Sequence, residues 1–138
     1  MHKLTPIPNL LKDKKDKSLF IVGGGPSLNN FDWTLLEDKN VLVLNRGLEK
    51  LPNALALLWN DVKFHKDNEE RIKNFPGIKI TTTRYMKPGS SHPCDCDIVW
   101  VKGKNYLGDL RGTIEESPYL INQGSNTGYS ALNVAYHL

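Results

Sequence analysis

Five short apolar runs, evenly dispersed between polar segments, constrain this chain more than any other feature. They are "SLFIV" (18–22), "VLVL" (41–44), "ALALLW" (54–59), "IKITTT" (78–83) and "DIVWV" (97–101). The strongest of them are continuous, without an apolar–polar alternation, so they predict strands buried on both faces. That is the habit of parallel sheets covered by helices. The first three runs end at Gly23, Asn45 and Asn60. The segments between them carry helix signals. Residues 30–38 have Asn30 or Asp32 as an N-cap. Residues 61–75 have Asp61 as a cap, apolar contacts at Val62, Phe64, Ile72 and Phe75, and a stop at Pro76-Gly77. Residues 125–138 have Ser125 or Asn126 as a cap and Ala131, Val134, Ala135 and Leu138 on one face.

Strand–helix alternation of this kind predicts a three-layer α/β domain, Rossmann-like, with a mostly parallel sheet. At 138 residues there is room for one such core, placed here at residues 18–138. Residues 1–17 are polar, hold Pro6 and Pro8, and read as an arm. The chain stops at the last helix without a returning strand, so the expected domain lacks its C-terminal part, or a partner completes it. An apolar strip left open in this way predicts a homo-oligomer with the last helix at the contact. A net charge of +3, much of it from "KDKKDK" (12–17), is too small to argue for a nucleic-acid partner, and none is expected. No run approaches the about 18 apolar residues of a membrane span, and the N-terminus has no apolar signal region. Cys94 and Cys96 are too close for an ordinary disulfide. A cytoplasmic setting is expected.

The chemistry is concentrated where the first strand meets "GGGPS" (23–27). Gly23, Gly24 and Gly25 present backbone with no Cβ, and successive N–H groups of such a turn can cradle an anion. Pro26 fixes the chain, and Ser27 adds a hydroxyl. Leu28 stands where a dinucleotide fingerprint needs its third glycine, and the lysine of a P-loop is missing. The alternative is a tight turn in which glycine serves the backbone alone. Asn45 and Asn60 end the next two strands. An asparagine amide both donates and accepts, which suits base edges and ribose hydroxyls; it is also a turn former. Ser125, Asn126, Thr127 and Gly128 open the last helix and offer hydroxyls and helix N–H groups.

Taken in order, "IVGGGPSL" (21–28), "VLNRG" (43–47), "LLWND" (57–61) and "SNTGYSALNVAYHL" (125–138) resemble the motifs of the bacterial sialyltransferases of glycosyltransferase family 42. They also resemble the related DUF115 group, which includes archaeal 6-hydroxymethylpterin pyrophosphokinase, and short phage and prophage proteins. The likeness covers residues 18–62 and 120–138. It implies a nucleotide or nucleotide-sugar ligand, CMP-sialic acid in the sialyltransferases. That ligand would be held by the glycine loop, Asn45, Asn60 and residues 125–128, without metal. The pyrophosphokinase likeness implies ATP and Mg²⁺ instead. Gly24 replaces the family's asparagine, and Gln123 or Gly124 stands where the sialyltransferases carry an arginine. Neither their catalytic histidine nor their pair of phosphate-binding tyrosines has a match, so no catalytic residue is assigned. A non-catalytic nucleotide-binding module is the third reading.

Other clusters carry less. "HPCDCD" (92–97) has one C-x-C and no second pair, so a solvated loop is expected rather than a metal site. His65 is a general-base candidate by type. Its neighbours Lys63, Lys66, Asp67, Glu69 and Glu70 instead predict a solvated helix face. Trp33, Trp59 and Trp100 are expected in the core or at its edge.

Overall fold

The computed structural model describes residues 4–82, 98–105, 114–123 and 126–138. Six strands form one sheet: β1 (Leu19–Val22), β2 (Asn40–Leu44), β3 (Ala56–Trp59), β4 (Ile78–Thr82), β5 (Ile98–Asn105) and β6 (Leu120–Gln123). Every neighbouring pair is parallel, and the spatial order equals the chain order, 1-2-3-4-5-6. The architecture is a Rossmann-like α/β domain. Its register is staggered: Val22 lies beside Val43, Leu44 beside Leu58, and Trp59 beside Thr81.

A strand order that always steps the same way has a consequence. Parallel connections are right-handed almost without exception, so successive steps in one direction put each connection on the same face. The connections after β1, β2 and β3 obey this. Leu36, Leu48, Phe64 and Ile72 from those connections share one core with Val41, Val43, Leu57 and Trp59. The alternate residues of the same strands, Leu42, Leu44, Ala56 and Leu58, form a second core on the opposite face. There they meet Ala131 and Val134 of helix α3 (Thr127–His137). The sheet curls, and α3 touches β2, β3 and β6.

The N-terminal segment lies on this second face as well. Ile7 and Leu11 are buried, the Ile7 N–H donates to the Pro118 carbonyl, and the Leu11 N–H donates to the Leu138 carbonyl. Two apolar side chains thus anchor a segment whose composition is otherwise polar.

Several sequence expectations are revised here. Residues 30–38 do not form an α-helix. They hold one 3-10 turn, Trp33–Leu36, with Asp32 accepting from the Thr34 N–H at 3.1 Å; a second 3-10 turn, Pro26–Asn30, ends where the range begins. Residues 61–75 split into α1 (Val62–Asp67) and α2 (Glu69–Asn74). The break falls at Asn68, whose amide donates to the Phe64 carbonyl and so competes with helix continuation. Asp61 caps α1, and Phe64, Ile72 and Phe75 are buried as expected. His65 is not on a solvated face: it is 3% exposed, and its Nδ1 accepts from the Trp59 indole N–H at 3.2 Å. The charged neighbours lie on the other side of a one-and-a-half-turn helix, and the indole beneath supplies the polar partner. The apolar strip of α3 is not left open either, because Ala131, Val134 and Leu138 are covered by the chain's own sheet. Leu132 and Tyr136 are what α3 exposes. The "HPCDCD" loop lies outside the described residues.

Candidate functional site

The C-terminal ends of β1, β2 and β3 are bracketed from two sides. The connections leave toward one face, and the N-terminus of α3 stands on the other. The strand order never reverses, so this edge is not a topological switch point; it is bracketed because α3 packs on β2 and β3 and brings its first turn to their ends. Asn126 caps α3, its Oδ1 accepting from the Tyr129 N–H at 3.0 Å. A Cβ on Gly128 would approach that Oδ1 to 3.1 Å, so glycine leaves room for the cap.

Asn45 and Asn60 reach from the strand ends to α3. Asn45 Nδ2 donates to Thr127 Oγ1 at 3.4 Å, and Asn60 Nδ2 donates to Ser130 Oγ at 3.0 Å. Thr127 and Ser130 are three residues apart and therefore on one side of the helix. Among the described residues, neither asparagine's buried Oδ1 has a hydrogen-bond donor. Each such acceptor costs on the order of 1–3 kcal/mol. Asn45 also has a φ of 48°, the left-handed region, which asparagine tolerates better than other side-chain-bearing residues. It is a turn former and a site-facing amide together.

The glycine loop behaves differently. Among the described residues, a Cβ built on Gly23 or Gly24 meets nothing within 4 Å, and one on Gly25 meets only Ser27 Oγ at 3.6 Å. None of the three has the left-handed φ that would favour glycine. Within the described residues the fold therefore makes no demand for glycine at 23, 24 or 25. Gly77 shows the contrast: a Cβ there would lie 2.4 Å from the Ala54 carbonyl oxygen and 2.6 Å from that of Leu55.

The structure thus brings Gly23, Asn45, Asn60, Asn126, Thr127 and Gly128 to one edge of the sheet. Ser27 sits in the 3-10 turn that follows the loop. Ser125 lies outside the described residues. What sequence reasoning missed is a charged pocket of about 510 Å³ beside Asn45, between the 3-10 turn Asn45–Glu49 and helices α1 and α2. Arg46, Glu49, Lys63 and Arg71 help to line it. Arg46 was legible as the neighbour of Asn45, but nothing in the spacing shows that Arg71 returns to the same place. Glu49 Oε1 accepts from Arg46 Nε at 3.2 Å and from Arg71 Nη1 at 3.0 Å. Lys63 pairs with Asp67, whose carboxylate holds the ammonium above the ordinary lysine value. Among the described residues no group of His, Cys, Asp or Glu could hold a metal ion. Among them, too, no helix is long and apolar enough to cross a membrane.

Searches against protein-family models, curated proteins and solved structures found no match to this chain.

Proposed function

We propose that the chain binds a nucleotide or nucleotide-sugar at the C-terminal edge of β1–β3, as a sialyltransferase-like glycosyltransferase or its nucleotide-binding portion. The phosphate lies against the backbone of Gly24 and Gly25, near Ser27. Base or ribose groups bring donors to the amide oxygens of Asn45 and Asn60. One observation carries the reading: three consecutive glycines occupy a strand end where the fold does not need them. A residue type that leaves space, where the protein itself leaves that space open, suits a group that comes from outside. The unsatisfied amide oxygens at the next two strand ends support it independently, since a ligand hydroxyl or amino group is what they lack.

In a transfer reaction of this type the site holds the leaving phosphate while an acceptor hydroxyl attacks the sugar's anomeric carbon. The chain's own part is positioning and charge stabilisation. Calorimetric titration with CMP, CDP, ATP and GTP tests the proposal. Heat with CMP or CDP that vanishes in Gly24→Val is the expected result. Heat only with ATP in the presence of Mg²⁺ would move the assignment to pyrophosphoryl transfer. No heat with any of the four at millimolar concentration would overturn it.

A further inference from the structure

The pocket beside Asn45 has a use that the nucleotide reading does not absorb. Two guanidinium groups, Arg46 and Arg71, converge on a single carboxylate oxygen of Glu49. The three side chains therefore carry a net charge of about +1 at one wall of the pocket. Arg46 commits only Nε to a protein partner, and Arg71 only Nη1, which also reaches Asn68 Oδ1 at 3.3 Å. Each guanidinium has five N–H donors in a planar fork. Most of these donors are left uncommitted among the described residues. Both side chains are well exposed, at 78% and 59%. The volume of 510 Å³ falls within the range of about 300–1,000 Å³ that small-molecule sites occupy.

Two features narrow the ligand. A planar fork matches a carboxylate or phosphate edge to edge. Asp61, Lys63 and Asp67 also line the pocket, and Lys63 pairs with Asp67. With three cations and three carboxylates the lining is near neutral, so a ligand with one negative charge leaves less uncompensated charge than a dianion. We infer that this pocket binds a small molecule through one carboxylate held by Arg46 and Arg71, at a site that borders the proposed nucleotide edge at Asn45 but does not include the glycine loop. Glu49 is the positioning residue: it gathers the two guanidiniums and competes with the ligand for them.

The test uses NMR of the full chain, observing the arginine side-chain N–H signals. The probes are benzoate, its neutral isostere benzamide, and phenyl phosphate, at constant ionic strength. Benzoate should shift the Arg46 and Arg71 signals saturably, and benzamide should not. Arg71→Lys keeps the charge and removes the fork, so benzoate should bind about tenfold more weakly. Glu49→Gln removes the competitor and raises the local charge, so benzoate should bind several-fold more tightly. Gly24→Val should leave benzoate binding unchanged, which separates this site from the nucleotide site. Benzoate and benzamide acting alike, no saturation, or an unchanged affinity in both Arg71→Lys and Glu49→Gln would overturn the site. Tighter binding of phenyl phosphate than of benzoate would overturn the choice of carboxylate. Thermal melts of each variant confirm that the fold is intact.

Discussion

Replacing Gly24 by valine and Gly77 by alanine separates glycine needed by the fold from glycine left for a ligand. At Gly77 the added Cβ would fall 2.4 Å and 2.6 Å from two backbone oxygens and 2.8 Å from the Phe75 ring. The Leu55 oxygen cannot simply withdraw, because it accepts the Ile78 N–H at 3.0 Å where β3 and β4 begin to pair. Forcing a methyl group into that contact costs about 3 kcal/mol, the upper part of the overpacking range. For a chain of this size, about 4 °C of melting temperature accompanies each kcal/mol, so Gly77→Ala should melt about 12 °C lower. At Gly24 nothing lies within 4 Å of the added Cβ. Gly24→Val should therefore stay within about 0.5 kcal/mol of the parent, or about 2 °C. Its effect should be on ligand instead, since a branched side chain would stand where the phosphate goes. Far-UV circular dichroism melts and nucleotide calorimetry on the same three proteins give both readouts. A drop in melting temperature for Gly24→Val as large as that for Gly77→Ala would refute the reasoning. The glycine loop would then be a structural turn like any other.

Three further outcomes follow from the geometry. Asn45→Ala should cost about 1–2 kcal/mol of stability because its backbone is left-handed, and Asn45→Gly should recover that loss without recovering nucleotide affinity; urea denaturation with parallel calorimetry reads both, and equal stability of the two variants would remove the strain argument. Trp59→Phe strips the indole N–H from buried His65 and should destabilise by about 1–3 kcal/mol, seen as a shifted urea midpoint; a midpoint unchanged from the parent would mean that His65 Nδ1 does not depend on that bond. The Asp16 carboxylate accepts from the Ser18 N–H at 2.9 Å and from the Ser18 side chain, which lowers its pKa below the ordinary 3.8. Its stabilising effect is thus present above the unfolded-state value and is lost as pH falls through the folded one. A side-chain carboxyl titration by NMR should place Asp16 below the ordinary aspartate value of 3.8, and an ordinary midpoint there would contradict it.

Much of the layout could be read from the chain alone, because buried parallel strands must be apolar throughout. That requirement marks 18–22, 41–44, 54–59, 78–83 and 97–101, but β1 is an edge strand with Phe20 exposed rather than buried on both faces, and β4 is a strand despite Lys79, Thr81 and Thr82. The same requirement also marks the strand ends, and hence Gly23, Asn45 and Asn60, since polarity returns where the sheet stops. The cap at Asp61 was legible, and Asp32 and Asn126 were each one of two candidates, because a free helix N–H is commonly met by the side-chain oxygen of a residue just before the helix. Strand β6 was not legible, because only Leu120 and Ile121 mark it and neither run length nor period distinguishes four residues from a loop. The 1-2-3-4-5-6 order was not legible either. It depends on which strands pair, and parallel partners separated by a crossover leave no local signature. The same holds for the meeting of Arg46 with Arg71 over Glu49, for His65 turning inward onto Trp59, and for Asn45 and Asn60 reaching Thr127 and Ser130 some 82 and 70 positions away. Local sequence determined which residues could stand at the edge of this sheet. Only the curl of the sheet around α3, driven by burial of Leu42, Leu58, Ile121 and Val134 in one core, decided which of them face each other.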